Sequence, residues 1–172
     1  GIPKALVRLE GTTLLDRAVD AVRTADAAPV IVAGPEVAPA PDEVRWVRET
    51  PAYTGPAAAL HAAMSLASAD APWTLVLAVD LVRPAEAVAR LMADRELLPA
   101  DTDGVCLGDA SSRPQWLTGL YRTAALARGT ASLAEEGRDQ PVRQIMAELA
   151  IAVVRAPDEV VADIDTWQDL QD

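Results

Sequence analysis

An aspartate abruptly ends one apolar run of this chain. Trp73 to Val79 runs apolar with one threonine and is followed at once by Asp80. A strand apolar at almost every position is covered on both faces, as in parallel sheets lying between helices. In an open sheet of that kind, ligands bind beyond the carboxyl ends of the strands, and Asp80 falls there. A carboxylate at that place is a hard oxygen ligand suited to Mg²⁺, which takes one or two carboxylates plus substrate phosphates. A helix cap and a surface acid are the plainer alternatives. Pro84 opens the next helix, so Arg83 lies nearer its cap position than Asp80 does.

Lys4 is the sole lysine among 15 Lys and Arg residues. An ammonium is a compact point charge able to follow a phosphate, where a guanidinium is a planar fork. Chance retention of one lysine is the competing explanation. Gly55-Pro56 ends a loop and begins a helix, which would turn helical N–H groups and a residue without Cβ toward a ligand. Gly-Pro is also an ordinary turn signal. His61, among alanines one turn into that helix, reads as a packed or surface residue rather than a catalyst. Asp163-Ile164-Asp165-Thr166 offers two acids before a last helix. Asp165 or Thr166 caps it, and Asp163 is left to face a metal or solvent.

These residues must be carried by a single domain, since 172 residues suffice for one and fall short of two ordinary ones. Hydrophobic residues make up 51% and aromatics 3%, with no Phe, so Ala, Val, Leu and Ile build the core. A formal net charge of -11 repels a polyanion over most of the surface and argues against nucleic-acid binding. One Cys, Cys106, excludes a disulfide framework and a Cys-rich zinc site, and one His leaves no His-rich metal site. No apolar run of about 18 residues is present and no signal peptide opens the sequence, so a cytoplasmic protein without membrane contact is expected.

Apolar runs alternate with helical spacing along the chain. Thr12 or Thr13 caps a helix with Leu14, Leu15, Ala18, Val19 and Val22 on one face. Pro29–Ala33 and Val44–Val47 read as strands, and Thr54-Gly55-Pro56 opens a second helix carrying Leu60 and Met64. After the strand at Trp73–Val79, Pro84 starts a third helix. Gly104–Leu107, Trp116–Tyr121 and Ile151–Val154 are further strands. Thr123–Glu136, Val142–Leu149 and Thr166–Leu170 are helical. The alternation predicts an α/β fold with a mostly parallel central sheet. Gly1 to Lys4 reads as the tail of a loop, and a central strand with a glycine-bearing turn is expected before it.

Several stretches, in order, carry a resemblance. They are Pro3-Lys4-Ala5-Leu6, Leu9–Leu15, Tyr53–Leu60, Leu77-Ala78-Val79-Asp80, Arg113–Arg122 and Asp163–Leu170. Together they resemble the nucleotidyltransferases of molybdenum-cofactor biosynthesis, above all the molybdenum cofactor guanylyltransferases. These belong to the Rossmann-like superfamily of sugar-phosphate nucleotidyltransferases, and the resemblance implies a Rossmann-like three-layer sandwich with a mostly parallel central sheet. The resemblance implies Mg²⁺-dependent transfer of GMP from GTP to the terminal phosphate of molybdopterin, with pyrophosphate released. It gives Lys4 the family lysine that contacts nucleotide phosphates, Asp80 the aspartate that holds Mg²⁺, and Asp163 an acidic position near the metal. Gly55 falls on the loop bordering base and ribose, Glu49 at or beside an acid that contacts the nucleotide, and Arg143 toward the pterin. Molybdoenzyme maturation proteins are the partners it suggests. The family's Leu-Ala-Gly-Gly strand and loop would lie before Gly1. Val82 stands where the family usually has proline, and Gly34 where it often has Asn. Cytidylyl or other small-phosphate nucleotidyl transfer is the nearest alternative, and a non-catalytic nucleotide-binding domain the alternative from another class.

Overall fold

The computed structural model describes residues 3–164. A 3-10 turn at Lys4–Leu6 leads into two short strands, β1 (Arg8–Leu9) and β2 (Thr12–Thr13), paired antiparallel. Helix α1 (Leu14–Thr24) follows, and the Thr13 hydroxyl accepts the Asp16 N–H at 3.0 Å. That bond satisfies one of the donors a helix start leaves orphaned. Next come β3 (Val30–Ala33), β4 (Val44–Val47), α2 (Pro56–Met64), β5 (Trp73–Leu77) and α3 (Pro84–Arg95). The chain continues through β6 (Gly104–Gly108), β7 (Pro114–Arg122), α4 (Thr123–Ala131), α5 (Arg143–Met146), β8 (Ile151–Arg155) and α6 (Asp158–Val161). The helix expected at Thr166–Leu170 lies outside the described residues.

The main sheet has the order β5-β7-β6-β8. β5, β6 and β8 share one direction, and β7 runs antiparallel to both of its neighbours. The three-layer α/β expectation therefore holds, with the difference that one reversed strand sits inside the sheet. β6 alternates between the two faces. Cys106 packs with Leu60, Tyr121, Leu126 and Ile145 on one side, while Val105 and Leu107 pack with Leu91, Leu120 and Val160 on the other. Side chains two apart share a face, so a fully apolar strand cements a helix layer to each side of the sheet.

Two glycines let the single buried tyrosine into this sheet. A Cβ on Gly119 would lie 2.5 Å from the Tyr121 ring, and one on Gly104 would lie 2.7 Å from it. Tyr121 is fully buried and its hydroxyl donates to the Trp116 carbonyl at 2.6 Å. Burial pushes the Tyr121 phenol up, and it pushes the Cys106 thiol up to about 12.

β3 and β4 form a separate parallel pair, and among the described residues no ladder joins β3 to β5. A gap of about 700 Å³ lies between those two strands, floored by the apolar faces of α1 and α2. It explains one departure from the sequence reading. β5 is half-buried at all five positions rather than covered on both faces, because its free edge borders the gap. Among the described residues, no helix is long and apolar enough to cross a membrane.

Candidate functional site

Asp80 sits in the turn just past the carboxyl end of β5, as its sequence position predicts. Its carboxylate Oδ2 accepts a charged hydrogen bond from Lys4 Nζ at 3.0 Å. The side chains are 46% and 23% exposed, so the pair faces solvent rather than the core. One small core positions both members. Val7, Leu14 and Ile164 pack together. Lys4 is fixed to Val7 through the 3-10 turn, where the Val7 N–H donates to the Lys4 carbonyl at 3.0 Å. The Ile164 N–H donates to the Asp80 carbonyl at 3.0 Å. Residues from the chain's two ends are thus tied to the tip of one strand.

That same tie brings Asp163 alongside. Leu81 and Asp163 form an antiparallel bridge, and Val82 N–H donates to Ala162 carbonyl at 3.0 Å. Asp163 is exposed. Among the described residues, no group of three or more His, Cys, Asp or Glu side chains converges to hold a metal. This donor set fits Mg²⁺, which makes do with one or two carboxylates when substrate phosphates complete its shell, and it does not fit a metal needing an all-protein cage.

The gap between β3 and β5 runs from Val79, the residue before Asp80, to Glu49, Tyr53 and Gly55 on its other wall. Gly55 has φ 100° at the cap of α2, a conformation glycine adopts without a steric cost. Pro56 fills the first helical position. The loop before them is held at several points. Glu49 Oε1 accepts the Tyr53 N–H at 2.7 Å, Thr54 Oγ1 donates to the Pro51 carbonyl at 2.9 Å, and the Asp139 N–H donates to the Thr54 carbonyl at 2.8 Å. Glu49 therefore shapes the loop as well as lining the cleft.

Lys4 and Asp80 thus meet directly and Asp163 joins them through the backbone, while Glu49 and Gly55 form the far wall. Arg143 opens α5 and is exposed. His61 Nδ1 lies 3.1 Å from the Thr130 carbonyl, which makes it a packed residue bridging α2 and α4. Tyr53 is the residue that the sequence reading passed over. Its turn was legible from Thr54-Gly55-Pro56, but its exposure to solvent was not.

A family model described as a MobA-like NTP transferase domain matches residues 1–154. The chain belongs to this family. Membership makes it a nucleotidyltransferase. It is 38% identical over 152 residues to a probable molybdenum cofactor guanylyltransferase of Synechococcus elongatus, covering 80% of this chain and 72% of the relative. Its fold is similar to that of molybdopterin-guanine dinucleotide biosynthesis protein A from Archaeoglobus fulgidus, with a TM-score of 0.66 and 18% identity over 99% of this chain and 88% of that one. It is similar also to 2-C-methyl-D-erythritol 4-phosphate cytidylyltransferase from Thermus thermophilus, with a TM-score of 0.65 and 22% identity over 98% and 90%. At such identities the two solved structures speak for the fold alone.

Proposed function

We propose that this nucleotidyltransferase moves GMP from GTP to the terminal phosphate of molybdopterin and releases pyrophosphate. The observation that carries the reading is the Lys4–Asp80 pair, a cation and an anion held 3.0 Å apart at the end of β5. A lone carboxylate there would repel a triphosphate. Paired with an ammonium, it offers both a metal ligand and a direct phosphate contact.

The acceptor's phosphate oxygen attacks the α-phosphorus of GTP, and the bond from that phosphorus to the bridging oxygen of pyrophosphate breaks. A phosphate monoester has its second pKa near 6, so it is already a dianion at neutral pH and needs no general base. This agrees with a site whose nearest histidine, His61, is engaged with the Thr130 carbonyl. Asp80 would hold Mg²⁺, with Asp163 beside it, and the ion would supply charge neutralisation on the phosphates. Lys4 follows the negative charge as it moves onto the departing pyrophosphate. Glu49 holds the loop that borders the nucleoside, and Gly55 leaves room for a sugar and base to approach the backbone. Catalysis on this reading is positioning plus electrostatic stabilisation.

The test is pyrophosphate release from each of GTP, CTP, ATP and UTP, with molybdopterin as acceptor, with and without Mg²⁺. Release with GTP and Mg²⁺ alone is expected. Preference for CTP would replace guanylyl by cytidylyl transfer, and release that ignores molybdopterin would remove that acceptor.

A further inference from the structure

We propose that Tyr53 is the platform on which the nucleobase stacks, an inference that rests on the nucleotide-transfer reading above. The residue is 84% exposed. The chain has only 4 Trp and 2 Tyr and no Phe, and the other tyrosine is fully buried in the core. A large apolar surface left in solvent, in so aromatic-poor a chain, needs a reason beyond packing.

Three observations show that the ring is held in place. Tyr53 adopts φ 67°, a left-handed conformation uncommon for a bulky residue and frequent where backbone strain serves a site. The Glu49 carboxylate fixes that conformation by accepting the Tyr53 N–H at 2.7 Å. The Arg48 guanidinium lies 4.4 Å from the ring centroid and occupies one face. The cation draws on the ring's negative face and fixes its plane. Tyr53 also lines the cleft together with Gly55 and Glu49. A planar heterocycle placed against it would extend a stack of guanidinium, phenol ring and base. Such stacking tolerates any base, because every base has a π-face. Tyr53 therefore supplies affinity for the nucleoside half of the substrate, while choice among bases is made elsewhere.

The experiment measures binding of GTP and of inorganic tripolyphosphate, each with Mg²⁺, by calorimetry on the wild type, Tyr53→Ala and Tyr53→Phe. The expected result is a weakening of GTP by at least about fivefold in Tyr53→Ala, with tripolyphosphate unchanged and Tyr53→Phe close to wild type. An unchanged GTP affinity in Tyr53→Ala overturns the stacking while leaving nucleotide transfer standing. Equal losses for GTP and tripolyphosphate also overturn it, since they would mark a loop collapse. A wild type that binds no nucleotide overturns both readings. The exposed ring predicts that both variants keep the melting temperature of the wild type, which is measured alongside.

Discussion

Lys4 Nζ and Asp80 Oδ2 meet at 3.0 Å across 76 positions of sequence. The contact is built, rather than incidental, because one cluster of Val7, Leu14 and Ile164 anchors the backbone beneath both partners. Two exposed charges tethered only by their own side chains would contribute little and wander. Here the backbone fixes where they start from.

If both groups act on one triphosphate, they should fail as a unit. Asp80→Asn and Lys4→Ala are each expected to lower turnover by about 10²–10³-fold, and the double variant by much less than the product. Lys4→Arg should restore little, since a planar fork does not replace a point charge. Steady-state pyrophosphate release checks this, with circular dichroism confirming the fold. Strictly multiplicative losses would mean the two residues serve different steps.

Gly119 should tolerate no side chain. Its Cβ would enter the Tyr121 ring at 2.5 Å, and the ring is fixed by its hydroxyl on Trp116. Gly119→Ala is expected to destabilise by about 1–3 kcal/mol, lowering the melting temperature by several degrees. Calorimetry decides it, and an unchanged melting point would show the ring packed elsewhere.

Cys106 should be silent to alkylation in the native protein. It is fully buried, and desolvation raises its thiol from 9.0 to about 12. Iodoacetamide at pH 8 is expected to label it in guanidinium and not in buffer. The same shift has a stability consequence with a definite sign. The folded state keeps a proton that the unfolded state releases, so the contribution is whole below pH 9.0 and is lost as pH rises to about 12. Urea titrations across that range should show stability falling with pH, less steeply in Cys106→Ala.

Helix starts were legible because their chemistry is local. Thr13, Pro56 and Pro84 mark the first turns of α1, α2 and α3, and of the periodic apolar residues of α1, Leu14, Leu15, Ala18 and Val19 lie buried and Val22 half-buried. The place of Asp80 followed from a rule about strand ends, which needs only the end of an apolar run. The reversed direction of β7 was not legible. An interior strand is apolar whichever way it runs, and direction is set by pairings with β5 and β6 distant in sequence. Helix α6 escaped notice because its four residues are too few to show a period. The Lys4–Asp80 contact also lay beyond a sequence reading, since only the folded chain shows that Ile164 closes on Asp80.

The gap between β3 and β5 reaches beyond the packing of two strands. Glu49 follows β4 and holds Tyr53 through its carboxylate, while Lys4 and Asp80 meet at the end of β5. On the proposed reading the nucleoside half and the phosphate half of the site therefore stand on opposite sides of the gap, with α1 and α2 beneath it. On that reading the width of the gap sets the stride from base to metal. An extended segment hydrogen-bonded to both bare edges would weld them into a single gauge, and the reach of a nucleotide across the site would become a fixed dimension of the protein.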